Sequence, residues 1–191
     1  TTVKEDVLIF EEKSEAFTVG IGLSSDEKYY FIVSSDHNTS EQYYFSVDEE
    51  NPKPKLIKKR KKGIIYSVSS WNGYFYNHTN ENAEDFRIER CKDLSNQKWE
   101  TYIEAKDEVL IGGLVFLNDW IIRSETSNAL SKLFVKNVKT DLEEEIKFVD
   151  EKVIEPGVSL IQKDRNTDLV HLGYSSPKTQ ARVYLYNLKN K

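Results

Sequence analysis

The same succession of β-rich runs recurs four times along the chain, at intervals of 45, 46 and 48 residues. Runs at 29–35, 74–80, 120–126 and 168–176 anchor the repeat. Each is preceded by a shorter apolar run, at 17–23, 64–70, 109–116 and 153–161. Each is followed, after a polar loop, by an alternating run, at 42–48, 85–91, 131–138 and 181–188. In the first three units a last short run closes the pattern, at 55–59, 98–103 and 143–148. Period-two alternation with β-branched and aromatic residues, and no 3.6-residue apolar stripe, predicts strands throughout. A unit of about 45 residues holding four antiparallel strands has the pattern of a β-propeller blade. The expected fold class is therefore all-β, a partial β-propeller of about four blades of four antiparallel strands. The blades are expected at 17–59, 64–103, 109–148 and 152–188, with 6–12 as the outer strand of a preceding blade. One twisted sheet cannot bury both of its faces alone, so neighbouring units must cover one another.

Glycines recur in the first run of the units, at Gly20, Gly22, Gly112, Gly113 and Gly157. The innermost strands of a propeller crowd its axis, where a missing side chain eases close backbone approach. The other reading of these glycines is bulges in an ordinary sandwich. The fourth unit reaches Lys191 where its own outermost strand would begin, and there is no Met anywhere in the chain. Both features favour reading the sequence as a piece of a longer protein.

Composition narrows the function classes. With 38% hydrophobic and 12% aromatic residues the chain should fold. A net charge of -5 argues mildly against a general nucleic-acid binder, which needs a basic surface. Cys91 is the lone cysteine, so no internal disulfide is possible. A reducing compartment is the simplest setting, and a cytoplasmic location is expected. The longest nearly apolar stretch, 109–117, is far too short to cross a bilayer, so no membrane partner is expected. The N-terminus lacks the basic start and apolar centre of a signal peptide.

Five stretches then carry a resemblance: LIFEEKSEAFTVGIGLSSD at 8–26, TSEQYYFSVD at 39–48, IIYSVSSWNGYFYNHTNENAEDFRI at 64–88, KWETYIEAKDEVLIGGLVFLNDWIIRSE at 98–125 and YSSPKTQARVYLYNL at 174–188. In this order and spacing they resemble the propeller domain of the prolyl oligopeptidase family, in its oligopeptidase B (protease II) branch. The run Lys58–Lys62 is more basic than is usual there, and nothing is carried over at that position. The family's α/β-hydrolase domain, with its nucleophilic Ser on a G-x-S-x-G turn, has no counterpart in these residues. The nearest sequence, Gly157-Val158-Ser159-Leu160-Ile161, lacks the second glycine.

The resemblance implies a parent serine peptidase that cleaves short peptides after Lys or Arg, using a Ser–Asp–His triad outside this chain. It implies a seven-bladed propeller acting as a lid that admits small peptides and rejects folded proteins. The implied partners are the C-terminal α/β-hydrolase domain of the same parent and short basic peptides. Exposed blade edges add an expectation of self-association. No catalytic, cofactor-binding or metal-ligating residue is assigned to this chain, and substrate-binding residues are left open. A freestanding small propeller serving as an interaction scaffold is the alternative. A carbohydrate-binding β-protein is a third, resting only on Tyr richness.

Other residues are weighed against simpler roles. His37, His78 and His171 lack metal-type spacing and are read as structural. Cys91 closes an expected strand and is read as a small buried hydrophobe rather than a reactive thiol. The acceptor patterns at Asn38 and Asn77 are read as chance matches. Lys58–Lys62 is read as a solvated connection rather than a polyanion site. The acidic runs 48–50 and 143–145 are expected at turns or edges, where charge blocks pairing with other chains. Trp71, Trp99 and Trp120 are expected to pack between blades.

Overall fold

The computed structural model describes residues 6–147, 157–162, 165–176 and 179–190. Among the described residues, fifteen strands are arranged in four antiparallel sheets, each in simple meander order. Sheet one holds β1 (Thr18–Leu23), β2 (Tyr29–Ser35), β3 (Ser40–Ser46) and β4 (Lys55–Lys58). Sheet two holds β5 (Tyr66–Trp71), β6 (Tyr74–Thr79), β7 (Arg87–Cys91) and β8 (Glu100–Ile103). Sheet three holds β9 (Leu110–Phe116), β10 (Trp120–Ser127), β11 (Leu130–Asn137) and β12 (Glu143–Glu145). Sheet four holds β13 (Gly157–Gln162), β14 (Leu169–Ser176) and β15 (Thr179–Asn187). The chain divides into two units, 1–104 with sheets one and two and 105–191 with sheets three and four.

The strands fall on the expected runs, with differences at their ends. β3 begins at Ser40 rather than Gln42, because Asp36 accepts the N–H groups of Asn38 and Thr39 at 2.9 and 2.7 Å and tightens the preceding turn. Among the described residues 6–12 pair with no strand, and the partner strands that the reading of 6–12 as the outer strand of a preceding blade requires are not among these residues. Phe10 instead packs its ring 4.8 Å from that of Tyr43, and Glu12 bonds the Ser34 hydroxyl at 2.7 Å and the Arg60 guanidinium. These side chains hold the segment against sheet one. Residues 148 and 153–156 of the expected runs lie outside the described residues.

In the first unit, Phe31, Ile57, Tyr66, Val68, Phe75, Cys91 and Leu94 form one apolar cluster between the two sheets. Burial of this kind, at roughly 25 cal/mol per Å² of apolar surface, drives the sheets together without fixing their register. The register is set by polar groups. β5 is an end strand of its sheet, so its outward N–H and C=O groups have no ladder partner. Ser40 Oγ accepts from Tyr66 N at 2.7 Å and donates to Tyr66 O at 2.8 Å. Gln42 does the same one pair along: its amide accepts from Val68 N at 2.6 Å and donates to Val68 O at 3.0 Å. The Tyr66 hydroxyl completes the seam, accepting from Gln42 N at 2.8 Å and Lys58 N at 3.1 Å while donating to Lys58 O. Burial pushes that hydroxyl up to about 12, so it stays a donor at every physiological pH.

In the second unit, Leu117, Trp120, Ile122, Leu133, Val135 and Ile146 of sheet three and its loops pack on Val170, Leu172 and Leu188. Trp120 also donates its indole N–H to Asp168 at 2.8 Å, and Asn118 N donates to Arg165 O at 2.9 Å. The glycine expectation is met at one position. On β9, Gly112 and Gly113 together oppose Ser124, where the ladder shifts between Arg123 and Glu125. A Cβ on Gly112 would lie 2.0 Å from Ser124 Oγ and 3.0 Å from its carbonyl oxygen. A Cβ on Gly20, Gly22 or Gly113 would meet nothing within 4 Å, which corrects the crowding expected there. The side-chain surroundings of Gly157 lie outside the described residues.

Two expectations follow for stability. Gln42→Leu leaves the buried N–H and C=O of Val68 without partners and should cost about 2–4 kcal/mol in urea unfolding; a cost below about 1 kcal/mol would show that the seam does not depend on the amide. Gly112→Ala should cost about 1–3 kcal/mol, part of it recovered in Gly112→Ala/Ser124→Ala, whereas Gly113→Ala should stay within about 0.5 kcal/mol. Equal costs for the two glycines would refute the bulge assignment.

Candidate functional site

The histidines do not converge. His37 is exposed on a turn, and His78 stacks on Phe86 with ring centroids 4.6 Å apart. His171 sits on β14 opposite Leu185. Among the described residues no group of three or more His, Cys, Asp or Glu is placed to hold a metal ion. Cys91 is buried in the first cluster, its Sγ donating to Asp93 O at 3.6 Å, and burial pushes its thiol up to about 11. That is the small-hydrophobe reading, since a thiol kept protonated is a poor nucleophile. Asn77 is fully buried and donates to Glu89, so no glycan can be attached there in the folded chain. Ser159 lies within β13.

The charged runs resolve into two populations. Lys58 ends β4, and the run leaves it through irregular backbone into a turn at Lys62. Lys58 turns to Glu81 and Glu89, at 3.4 and 4.0 Å, and Arg60 turns to Glu12 and Glu41. Arg60 also lies 4.2 Å from the centroid of the Phe17 ring. The Ser34 hydroxyl, then the Ser14 N–H and Arg60, hold Glu12 down to about 2. Lys59, Lys61 and Lys62 stay exposed. The acidic run on β12 is likewise structural: Glu143 accepts from both terminal nitrogens of buried Arg123, at 2.7 and 3.0 Å, and Glu145 lies 3.8 Å from Lys132. Glu125 accepts from Arg123 Nε and Nη2 at 3.1 and 2.8 Å and from Lys106 at 2.6 Å. With four of its five N–H donors engaged and its guanidinium carbon 4.8 Å from the Phe134 ring centroid, buried Arg123 is committed to holding the sheet together.

The Trp expectation is met by Trp120 in the second cluster and by Trp99, half-buried against the first.

A concave feature that the sequence reading missed lies on sheet two. Tyr74, Arg90, Cys91, Lys92, Asp93, Asn96, Lys98 and Glu100 line a groove of about 430 Å³. The ladder brings Tyr76 opposite Arg90, and Arg90 opposite Glu100. Arg90 donates through Nε to Glu100 at 2.7 Å and stacks against the rings of Tyr74 and Tyr102, at 4.7 and 5.1 Å. Burial opposes its charge most strongly, but the bond to Glu100 together with the Glu100 charge and the neighbouring tyrosines raises its pKa. The far wall is the turn after β7, which is stiffened locally. Asp93 accepts from Ser95 N and Oγ at 2.8 and 2.7 Å, Leu94 is buried, and Gln97 Nε2 donates to Ile57 O at 2.6 Å. The available signal was the alternation of Tyr74 with Tyr76 and of Arg90 with Lys92, which places each pair on one face.

Comparison with known proteins gives these sheets a context. The model of the family described as prolyl oligopeptidase, N-terminal beta-propeller domain, matches residues 1–191. Protease 2 of Moraxella lacunata is 30% identical over 135 residues, covering 70% of this chain and 19% of that protein. Dipeptidyl aminopeptidase BI of Pseudoxanthomonas mexicana is 25% identical over 197 residues, covering 99% of this chain and 26% of that protein. Oligopeptidase B from Trypanosoma brucei, solved in a closed form with covalently bound antipain, superposes with a TM-score of 0.87 at 22% identity, over 100% of this chain and 28% of that one. The chain thus spans about a quarter or less of the curated relatives it matches, and its fold is that of a partial β-propeller. With a match along its whole length, the chain belongs to the prolyl oligopeptidase N-terminal β-propeller family.

Proposed function

We propose that this chain is the non-catalytic, gating portion of a serine oligopeptidase that hydrolyses short peptides after Lys or Arg. The observation that carries the reading is the match of all 191 residues to the N-terminal propeller family. The relative named Protease 2 and the structural neighbour oligopeptidase B support the reading of a peptidase, and the choice of basic residues at the cleavage point is what the sequence resemblance implies. In this reading the Ser–Asp–His triad belongs to an α/β-hydrolase domain beyond these residues, and the sheets exclude bulky substrates from it. The chemistry then needs nothing from the side chains of the seam and the buried ion pairs, whose polar groups are engaged in holding the sheets together. The setting proposed is the cytoplasm, consistent with a lone, buried thiol at Cys91.

We also propose that the chain by itself associates with a second copy through apolar sheet faces. Val19, Ile21 and Leu23 on β1 are 49%, 59% and 48% exposed, and Val183 and Leu185 on β15 are 64% and 60% exposed. Contiguous apolar surface of this kind marks a face that another surface covers.

Both readings have direct tests. Purified chain should not release p-nitroaniline from an N-benzoyl-arginine anilide above the buffer blank. Turnover that follows the purified protein and is lost on treatment with a serine-reactive phosphonate would place a catalytic site inside these residues and end the gating proposal. Multi-angle light scattering should report a mass above that of one chain, falling towards it in Ile21→Lys/Leu185→Lys. A strictly monomeric parent chain at the same concentration would refute the association.

A further inference from the structure

We propose that the groove formed by Tyr74, Arg90, Lys92 and Lys98 binds a single carboxylate carried on an apolar stem, such as the C-terminal end of a short peptide. This inference stands on sheet two alone and is independent of the gating role. Its charge balance is the first argument. Arg90, Lys92 and Lys98 face Asp93 and Glu100, leaving one positive charge. Glu100 is committed to Arg90, and Asp93 is turned into its own loop by Ser95. Among the described residues neither Lys92 nor Lys98 has a carboxylate within ion-pair distance, so the surplus sits on two flexible donors at the rim. A monoanion neutralises it, whereas a dianionic phosphate would leave the groove negative.

Shape is the second argument. The ring of Tyr74 forms the floor, with Lys92 Nζ 5.4 Å and the Arg90 guanidinium 4.7 Å from its centroid. A floor of aromatic carbon beside cationic donors suits an acid group attached to an apolar body. The third argument is stiffness. Asp93, Leu94 and Gln97 fix the wall, so little ordering is required on binding. Arg90, close to two tyrosine rings and tied to Glu100, orients the groove, while the lysines supply the contacts to the ligand.

The test is a nuclear magnetic resonance titration of the 191-residue chain with N-acetylphenylalanine, its amide and inorganic phosphate, at ionic strength held constant with chloride. Saturable shifts at the amides of 92–98 are expected with the carboxylate, with the neutral amide at least tenfold weaker. Lys92→Gln/Lys98→Gln, both at exposed positions, should weaken the carboxylate at least fivefold while leaving shifts elsewhere unchanged. A neutral amide that binds equally well, phosphate that binds more tightly, a response that does not saturate, or a double variant that binds like the parent would each overturn the proposal.

Discussion

The open edge of β5 is the constraint around which the first unit is organised. Two sheets meeting face to face gain from apolar burial almost regardless of a small slide between them. Unpartnered backbone groups do not tolerate such a slide, because each one left dry costs about 1–3 kcal/mol. Ser40 and Gln42 answer the N–H and C=O of Tyr66 and Val68 in turn, so two side chains on β3 act as a short substitute strand. A shift by one residue would break four hydrogen bonds at once. Phe31, Val68 and Phe75 then pack as they do because the polar seam has already chosen the register.

The second unit uses the same apolar logic with different fasteners. Its polar ties run through loops and strand ends, from Trp120 to Asp168 and from Asn118 to Arg165. This explains why the period of the chain was readable while its contacts were not. Alternation of apolar residues is imposed on every unit by the pleat. The residues that satisfy an edge depend on which neighbour happens to reach it, and they leave no period behind.

Particular elements show where sequence reasoning stops. The runs at 29–35 and 120–126 could be read because Phe31 and Ile32, or Ile121 and Ile122, are buried on opposite faces of one strand. The run at 7–10 has the same apolar character but no backbone to pair with among the described residues, where the ring contact of Phe10 with Tyr43 holds it. The pair Gly112–Gly113 could be noticed, but not that one glycine is indispensable and its neighbour idle. That distinction lies in the ladder shift opposite Ser124. Likewise the five basic residues at 58–62 were visible as charge, while the inward turn of Lys58 and Arg60 follows from where Glu81, Glu89, Glu12 and Glu41 come to rest. The groove on sheet two was hidden for the same reason, since Tyr74, Arg90 and Glu100 are brought to one place by the β6–β7–β8 pairing.

A further consequence concerns the two faces of sheet one. One face, with Phe31 and Gln42, is closed by β5, where Tyr66 and Val68 are buried. On β1, one repeat earlier, Val19 and Ile21 occupy the places of Tyr66 and Val68, yet they are exposed. A sheet of this type is therefore made with a giving face and a receiving face, and the repeat keeps both apolar wherever it stands in a series. Only a neighbour or a second copy can satisfy the exposed one, because converting it to a polar surface would break the pattern that lets every unit fit the next. Stickiness at an uncovered sheet is thus built into the same alternation that specifies the fold.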